Sequence, residues 1–283
     1  MLLKPEWLRI RHTQNSNREA VEELLRSLNL NTVCSEANCP NYVKCFSKKT
    51  ATFMIMGTNC TRNCRFCNVN NDTPQHLNAE EPKNVARAVK ELGLKYVVVT
   101  SVTRDDLPDG GAGHFVKVIH SIRQDAPDTL IEVLIPDFMG DINGLNAVTD
   151  AYPDVISHNV ETVKSLYSKV RPQAGYRRSL DLIKNIKLLN PAIRSKSGIM
   201  VGLGETEDQV YELFSDLLEV NCDFLTIGQY LSPSKSHIPV GEYIEPVQFE
   251  KYGATAREMG FHFVASAPLV RSSFDAGEAF GLH

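Results

Sequence analysis

The cysteines of this chain are concentrated in one part of the sequence. Six of the seven lie within 34 residues, and only Cys222 is remote. The clustered six are Cys34, Cys39, Cys45, Cys60, Cys64 and Cys67. Scattered core cysteines would not cluster in this way, so the distribution predicts metal or redox chemistry for the six. Cys222, in EVNCDFLTI, is interpreted as a small buried hydrophobic residue beside a strand.

The stretch CTRNCRFC at 60–67 supplies three thiolates with the spacing C-x3-C-x2-C. A structural zinc site takes four ligands, and a fully capped [4Fe–4S] cluster also takes four. Either the fourth ligand lies elsewhere, as in a zinc knuckle completed by a distant His or Cys, or one position is open. An open position can bind and activate another molecule, as it does in catalytic zinc sites.

The upstream cysteines Cys34, Cys39 and Cys45 have the spacing C-x4-C-x5-C, which is not that of a zinc finger. They again supply three thiolates without an obvious fourth ligand. The segment around them, 31–49, has no sustained hydrophobic period. We therefore expect loops or short helical turns there, organised by whatever the cysteines bind.

The elements around the cysteines follow an alternating pattern. Strands are predicted at 52–56, 95–100, 130–135, 155–158, 198–203 and 224–228. Helices are predicted at 17–30, 80–92, 114–123, 141–150, 161–169, 179–189 and 206–220. Such alternation implies a parallel sheet with right-handed crossovers. The predicted fold class is α/β, a partial (β/α)6 TIM-like barrel, with a doubly wound open sheet as the alternative.

The chain divides into three predicted parts. Residues 1–49 form an N-terminal extension of helix and loop that carries the upstream cysteines, and 50–260 form the barrel. Residues 261–283 form a C-terminal extension, whose apolar run at 261–270 is expected to cover the open edge of the barrel. In β/α barrels the chemistry gathers at the carboxyl ends of the strands. Polar motifs follow four of the predicted strands directly, which places the site at that end.

The composition excludes several classes of function. The 283 residues carry a net charge of −4, so no global positive field favours nucleic acid or anionic membrane. No apolar run approaches the roughly 18 residues of a membrane span. The opening MLLKPEWLRIRH does not resemble a signal peptide. We therefore expect a cytoplasmic protein, in a compartment where disulfides are rare.

The loop at 60–67 has an aromatic residue, Phe66, before its last cysteine and follows the first predicted barrel strand. This pattern resembles the radical S-adenosylmethionine (SAM) superfamily. The resemblance implies that Cys60, Cys64 and Cys67 hold a [4Fe–4S] cluster whose open iron chelates the amino and carboxylate groups of SAM. It also implies reductive cleavage of SAM to a 5′-deoxyadenosyl radical.

The two cysteine groups taken in order resemble the lipoyl synthase family. The resemblance implies a second, auxiliary [4Fe–4S] cluster on Cys34, Cys39 and Cys45. In that family its fourth ligand is a serine of a C-terminal R-S-S-Y motif, which matches VRSSF at 270–274. The match assigns the ligand to Ser273, in preference to Ser272. Phe274 stands where the family usually has Tyr, so one hydroxyl is missing.

The same resemblance implies the activity. Two sulfur atoms are inserted at C6 and C8 of an octanoyl group on a lysine of a lipoyl carrier domain. The carrier is the E2 protein of a 2-oxoacid dehydrogenase or the glycine cleavage H protein. The auxiliary cluster gives up its sulfide, and two SAM molecules are used for each lipoyl group. An electron donor and an iron–sulfur carrier are further implied partners, and nothing in the sequence demands more than a monomer.

Candidate SAM contacts come from the motifs at the strand ends. Asn159 and Glu161 of HNVET suit ribose hydroxyls and the SAM ammonium. Thr100 and Ser101 stand at the end of the second strand. Arg171 and Lys196 are possible partners for the SAM carboxylate.

Other polar residues near these motifs have structural alternatives. His158 suits a packed strand residue as well as a site residue. A surface ion-pair cluster is an alternative use for Arg104, Asp105 and Asp106. A helix start is the alternative for Glu205 and Thr206, which follow the glycine-rich turn GLG.

Two other functions remain open from the sequence. One is a different two-cluster radical SAM enzyme, in which the second cluster relays electrons. The other is a non-catalytic iron–sulfur carrier or zinc-binding module. A carrier would have four protein ligands for each cluster and would ignore SAM, whereas the enzyme leaves one iron open.

Overall fold

The computed structural model describes residues 3–9, 16–37, 39–47 and 51–282. Positions 38, 48 and 49 of the predicted irregular segment 31–49 lie outside the described residues. The chain forms two compact units. The first unit contains the described residues of 16–62, 68–156 and 273–282, and the second contains 3–9, 63–67 and 157–272.

The first unit begins with short elements and continues with β/α repeats. Its helices are α1 (Ser16–Ser27), α2 (Val33–Glu36), α3 (Tyr42–Ser47), α4 (Glu81–Leu92), α5 (Ala112–Asp125) and α6 (Ile142–Asp150). Its strands are β1 (Asn31–Thr32), β2 (Thr52–Ile55), β3 (Tyr96–Ser101), β4 (Leu130–Leu134) and the start of β5 (Val155–Ser157). Two 3₁₀ turns lie at Phe138–Gly140 and Ala276–Phe280.

The second unit continues the alternation. Its helices are α7 (Tyr167–Val170), α8 (Tyr176–Leu189), α9 (Glu207–Glu219) and α10 (Pro246–Met259). Its strands after β5 are β6 (Arg194–Val201), β7 (Phe224–Gln229) and β8 (Phe263–Ser266). Two further 3₁₀ turns lie at Glu6–Leu8 and Lys164–Leu166.

The strands are parallel within each unit, apart from one short edge strand. In the first unit β2 pairs with β3 and β3 with β4 in parallel register, and β1 pairs antiparallel with β2. In the second unit β6, β7 and β8 are parallel neighbours. Buried parallel strands read as nearly continuous apolar runs, which is why TFMI and FLTIG were recognisable as strands. Among the described residues, neither unit closes its strands into a ring.

Sequence signals at the helix ends agree with the structure. Pro82 lies in the first turn of α4, where its missing N–H is harmless, and Gly93 ends the helix with φ 65°. Thr206 caps α9, and its hydroxyl and the side chain of Gln209 form a reciprocal capping box. Thr206 therefore marks a helix start, which confirms that alternative for Thr206, whereas Glu205 lies before the cap.

The structure differs from the predicted elements in several places, the first being the helix predicted at 17–30, since α1 ends at Ser27. The predicted helix at 161–169 is a 3₁₀ turn followed by the single-turn helix α7. The strand predicted at 198–203 begins earlier, at Arg194, because the serines preceding it are buried and hydrogen-bonded. The helix α10 was not predicted, and the apolar run 261–270 provides β8, a parallel neighbour of β7.

Among the described residues, no helix combines the length and the hydrophobicity needed to span a bilayer.

Candidate functional site

The upstream cysteines lie on two short helices and the turn between them. The hydroxyl of Thr32 accepts a hydrogen bond from the Ser35 N–H and so caps α2, which carries the buried Cys34. The Cys39 N–H donates to the Cys34 carbonyl at 3.1 Å, which folds the turn back on the helix. Cys45 follows on α3. Short helices held by local hydrogen bonds therefore present all three thiols within the first unit.

The electrostatics of these thiols indicate that they lie close to one another. Burial raises the pKa of Cys34 to about 11, and the neighbouring Cys39 adds to the effect. Burial raises the pKa of Cys45 to about 12, and Cys34, Cys39 and Asp275 add to it. Three neighbouring thiolates, one buried and two partly buried, repel each other, and cationic iron removes that cost. The donor set, three soft sulfurs, suits iron–sulfur binding.

A single-ion site is a different arrangement from a cluster site. No three His, Cys, Asp or Glu side chains of the described part of the chain are arranged to hold one metal ion. The ligands of one ion must converge on a point. The cysteines of a cubane each cap a different iron, so their sulfurs lie further apart.

The C-terminal segment lies beside α3. The Lys44 Nζ is 4.5 Å from the centre of the Phe274 ring and 3.7 Å from the Asp275 carboxylate. Lys44 immediately precedes Cys45 in the chain, and Ser273, which is partly buried, immediately precedes Phe274. The structure thus places the segment of the predicted serine ligand next to the helix that carries Cys45.

The first cysteine of the downstream loop follows a tight turn after β2. Met56 and Gly57 have φ of 69° and 90°, which turns the chain away from the strand. The Cys60 N–H donates to the Asn70 carbonyl at 2.7 Å. The Cys60 sulfur accepts hydrogen bonds from two backbone N–H groups, those of Thr103 at 3.3 Å and Arg62 at 3.5 Å. Both donors belong to the first unit.

The remaining two cysteines of the loop are held within the second unit. The Cys67 N–H donates to the Cys64 carbonyl at 3.0 Å. His237 contacts the Cys67 carbonyl through Nε2 at 3.0 Å. Between the two cysteines, the Arg65 N–H donates to Val170, and the Arg65 carbonyl accepts from Ile238. Backbone hydrogen bonds on both sides therefore fix this part of the loop. His237 could not be singled out from the sequence, because it lies 170 residues from Cys67.

Two candidate SAM contacts lie at the end of β3 and differ in their surroundings. Thr100 is buried, and its hydroxyl donates to the Leu134 carbonyl at 3.0 Å. Its proton is therefore used in a hydrogen bond between β3 and β4. The hydroxyl oxygen of Ser101 is buried and has no hydrogen-bond partner among the described residues. A buried polar atom without a partner is costly. Ser101 is therefore the better placed of the two to contact a ligand.

Asn159 and Glu161 lie together in the second unit. The Asn159 Oδ1 is buried and has no hydrogen-bond partner among the described residues. Glu161 has φ of 72°, a left-handed conformation that is uncommon for a residue with a side chain. Burial raises the pKa of the Glu161 carboxyl, and the opposing effects of Arg171, the Asn159 side chain and Arg271 are smaller.

Gly198 on β6 makes room beside Asn159. A Cβ at this position would lie 2.7 Å from the Thr226 hydroxyl and 2.8 Å from Asn159 Oδ1. Lys196 is buried two residues earlier, so it lies on the same face of the strand as Gly198. Ile199 and Val201 lie on the opposite face and join the hydrophobic core. The polar candidates and the core thus occupy different faces of β6.

Arg171 serves the structure around Asn159 as well as any ligand. Its Nη1 donates to the Asn159 carbonyl at 2.7 Å and to the Tyr167 hydroxyl at 2.8 Å. That hydroxyl is 2.6 Å from the Ser179 hydroxyl, which contacts His158 Nε2 at 2.9 Å. The network gives the buried His158 a packing role, as one alternative for this residue held.

The glycine-rich turn GLG is closed by its own chain. The Glu205 carboxylate accepts hydrogen bonds from the backbone N–H groups of Gly202 and Leu203, the latter at 2.9 Å. These two donors are therefore engaged and not presented to a ligand. Arg271, by contrast, acts electrostatically on Glu161. That role could not be predicted from the sequence, because Arg271 follows Glu161 by more than one hundred residues.

The acidic cluster after β3 is internal to the first unit and is built around two arginines. The buried Arg104 makes a two-pronged contact with Asp106 and reaches the Met56 carbonyl. Asp105 binds the guanidinium of Arg62, a residue of the cysteine loop. The predicted surface ion-pair alternative is thus half right: the ion pairs are present, but both arginines are buried.

Comparisons with known proteins identify the family of the chain. The profile of the radical SAM superfamily matches residues 54–217. The chain is 55% identical over 280 residues to the lipoyl synthase of Alkaliphilus metalliredigens, across 99% of this chain and 97% of that one. It is 58% identical over 275 residues to the lipoyl synthase of Caldicellulosiruptor saccharolyticus, across 97% and 96% of the two chains.

Solved structures give the same fold. Streptococcus suis SuiB bound to S-adenosylmethionine matches with a TM-score of 0.59 at 13% identity, over 88% of this chain and 61% of that one. At this identity the likeness concerns the fold alone. Together with the superfamily match it confirms the predicted α/β partial barrel over the doubly wound alternative. Since relatives match almost the full length, the chain belongs to the lipoyl synthase family of the radical SAM superfamily.

Proposed function

We propose that this chain inserts two sulfur atoms at C6 and C8 of an octanoyl group carried on a protein lysine, and so makes the lipoyl cofactor. The observation that supports this most directly is the second cysteine group. Cys34 is buried, Cys39 and Cys45 are partly buried, and the three lie within each other's electrostatic influence. A radical SAM enzyme that only cleaves SAM needs the downstream cysteines alone.

The downstream cysteines Cys60, Cys64 and Cys67 are the proposed ligands of the radical SAM cluster. When bound, a [4Fe–4S] cluster supplies the electron for reductive cleavage of SAM, which unactivated C–H bonds require because they have no acidic proton. The chain's part is to hold three thiolates on a short loop and to leave the fourth position open. The loop's backbone hydrogen bonds serve this by fixing Cys60 and Cys67.

The auxiliary cluster is a substrate in this proposal, since its sulfide is transferred. Cys34, Cys39, Cys45 and Ser273 are its proposed ligands. Serine is a poor ligand for soft iron, and its alkoxide is readily protonated. A cluster with one oxygen ligand therefore opens more easily than one held by four thiolates. The Lys44 contacts to Phe274 and Asp275 support this role, because they hold Ser273 in the neighbourhood of Cys45.

The proposed SAM contacts are Thr100, Ser101, Asn159, Glu161, Arg171 and Lys196. Ser101 and Asn159 offer buried oxygen atoms that lack a partner in the described part of the chain. Glu161 offers a carboxylate for the SAM ammonium, and Lys196 offers a buried ammonium for the SAM carboxylate. Arg171 acts mainly by holding the backbone of Asn159.

The proposal includes partners and setting. The acceptor is the octanoylated lipoyl domain of a 2-oxoacid dehydrogenase E2 protein or the glycine cleavage H protein. The enzyme also requires an electron donor and an iron–sulfur carrier that rebuilds the consumed cluster. We propose that it works as a monomer in the cytoplasm, where free cysteines persist.

The test is a direct search for sulfur insertion. Anaerobically reconstituted protein is incubated with SAM, a reductant and an octanoylated carrier peptide, and the peptide is analysed by mass spectrometry. We expect a product with two added sulfur atoms. SAM cleavage with an unmodified peptide would contradict the proposal and would favour an enzyme whose second cluster relays electrons. If the protein neither cleaves SAM nor inserts sulfur, the result would favour a non-catalytic carrier.

Single-cysteine variants separate the two groups. Cys64→Ala should abolish 5′-deoxyadenosine formation, whereas Cys39→Ala should retain it and lose sulfur insertion. Cys222→Ala is the matched control, because Cys222 is buried in the hydrophobic core and should affect neither readout. Equal loss of both readouts in Cys39→Ala would argue against two separable clusters.

A further inference from the structure

Two residues between Cys60 and Cys64 bind the loop to the chain that follows β3. The Thr61 N–H and hydroxyl both donate to the Thr103 carbonyl, each at 3.0 Å. The Thr61 hydroxyl also accepts from the Asp105 N–H at 3.1 Å. One threonine thus makes three hydrogen bonds to residues 103–105, all within the first unit.

Arg62 makes the same connection with its side chain. Its Nε and Nη2 donate to the two oxygens of Asp105 at 2.7 and 2.9 Å. The Nη2 also donates to Asp137 at 2.6 Å. The Arg62 side chain is 3% exposed and that of Asp137 is fully buried. Two-pronged pairing of a guanidinium fixes geometry as well as charge, so the loop cannot shift without breaking this pair.

These contacts position the hydrogen-bond donors of the Cys60 sulfur. Its two N–H donors belong to Thr103 and Arg62, at 3.3 and 3.5 Å. Thr103 is the residue whose carbonyl holds Thr61, and Arg62 is the residue held by Asp105. The two donors therefore stay aligned on the sulfur only while the contacts of Thr61 and Arg62 persist.

We propose that Thr61, Arg62 and Asp105 are positioning residues that hold the Cys60 sulfur against two backbone N–H donors and thereby raise the reduction potential of the radical SAM cluster. The inference rests on the proposed function, since it concerns the cluster that Cys60, Cys64 and Cys67 hold. Reduction adds negative charge to a cluster, and N–H dipoles aimed at a ligating sulfur stabilise that charge. Hydrogen bonds to the sulfurs are an established determinant of cluster potentials.

The variants are Thr61→Val, Arg62→Gln and Asp105→Asn, each in the full chain with both clusters reconstituted. Thr61→Val keeps the size of the side chain and removes two of its three hydrogen bonds. Arg87→Gln is the matched control, because it removes an exposed ion pair with Glu91 on α4 of the same unit. The midpoint potential is followed by electron paramagnetic resonance, using the signal change on SAM addition to identify the cluster.

We expect all four variants to retain iron and sulfide. The midpoint reduction potential of the radical SAM cluster should become more negative in Thr61→Val, Arg62→Gln and Asp105→Asn. It should stay unchanged in Arg87→Gln. The kcat for 5′-deoxyadenosine formation should fall about 10- to 100-fold, as for other groups that orient ligands, while KM for SAM changes little. Lysine at position 62 cannot make the two-pronged contact, so Arg62→Lys should behave like Arg62→Gln.

An unchanged potential in a fully loaded Thr61→Val variant would overturn the inference. If Arg62→Gln or Asp105→Asn fails to take up iron, Thr61→Val decides the question, since it leaves the buried ion pair in place. Failure of the proposed function gives a different result, because wild-type protein would then form no sulfur-containing peptide whatever its potential.

Discussion

One residue of the C-terminal motif, Phe274, differs from the tyrosine that the family resemblance leads us to expect. Phe274 lacks the hydroxyl of the usual tyrosine, but its ring contacts the Lys44 ammonium at 4.5 Å. An aromatic face attracts a cation whether or not it carries a hydroxyl. The position therefore retains a means of holding the segment, and the neighbouring Ser273 is where a change should alter chemistry.

Replacing Ser273 by cysteine should make the auxiliary cluster harder to open. A thiolate binds iron more firmly than an alkoxide, so iron loading should be retained or increased while sulfur insertion in a single turnover slows. The readouts are iron content and the amount of sulfur-containing peptide, with 5′-deoxyadenosine as a measure of the other cluster. Ser272→Cys is the matched control and should leave both unchanged. Equal effects at the two positions would contradict the assignment of Ser273.

Binding of SAM should depend on pH through Glu161. Burial raises the pKa of this carboxyl above its ordinary value of about 4.5. The charged form, which attracts the SAM ammonium, therefore develops at a higher pH than in an exposed glutamate. We expect the Kd for SAM to decrease as the pH rises through the raised pKa. Glu161→Gln should bind more weakly at neutral pH and lose this dependence. Calorimetry across the pH range measures both, and a parallel profile in the variant would contradict the assignment.

In the second unit, one carboxylate connects two strands with a helix. Asp223, just before β7, accepts hydrogen bonds from the Ser195 N–H at 2.8 Å and hydroxyl at 3.0 Å. It also pairs with Lys187 of α8 and Arg194 of β6, at 2.9 and 3.0 Å. Burial opposes ionisation of Asp223, but the hydrogen bonds of Lys187 and Ser195 outweigh it and lower the pKa of the carboxyl.

Asp223→Asn should destabilise the chain by roughly 2–4 kcal/mol at pH 7, the range for removing one member of a buried network. Because the folded-state pKa is lowered, the carboxylate stabilises the fold above its unfolded pKa, near about 3.9. This contribution is lost as the pH falls through the folded value. Urea unfolding at pH 7 and pH 3 should thus show a difference from wild type that shrinks in acid.

The exposed pair Arg177–Asp181 provides the control for this measurement. Asp181→Asn should change stability by less than about 1 kcal/mol at either pH. A difference between wild type and Asp223→Asn that stays constant between the two pH values would contradict the electrostatic account.

Strand β6 shows why part of the fold could not be predicted from the sequence. Apolar runs such as TFMI and FLTIG predicted strands correctly, because burial on both faces leaves a direct trace in composition. The start of β6, RSKSGIMV, was not recognisable, since its two serines are polar yet buried. Their hydroxyls donate hydrogen bonds to Asp223 and to the His158 carbonyl. The helix α10 did carry a signal, with buried Phe249, Tyr252 and Ala256 at helical spacing.

For the candidate site, the sequence signals were of a similar kind, although the ligand assignments stay predictions. The spacing of the cysteines indicated metal ligands, and the order of the motifs along the chain indicated the family. The contacts of Thr61, Arg62 and Asp105 could not be predicted, because they join residues more than forty positions apart. The role of Gly198 could not be predicted from the sequence either, since it depends on the space that the missing side chain leaves beside Asn159.

The proposed function bears on the iron content of the chain as a whole, because it consumes the cluster of one cysteine group and retains that of the other. We expect about eight irons in the reconstituted protein, two cubanes, and about four after one turnover. The triple variant Cys34→Ala, Cys39→Ala, Cys45→Ala should hold about four irons from the start and lose none on incubation with SAM and peptide. Iron and sulfide assays before and after turnover measure this. Full retention of iron in wild type after sulfur insertion would contradict a consumed cluster.

The position of the upstream cysteines bears on cluster replacement, which the proposed function requires after each turnover. Cys34 is 6% exposed, whereas Cys39 and Cys45 are only partly buried. The segment 273–282 is held in the first unit by the Lys44 contacts and by the packing of Phe280 on Tyr96. Under the proposed function we expect this segment to loosen when a new cluster is delivered, so that the strength of these few contacts affects how often a spent molecule is repaired.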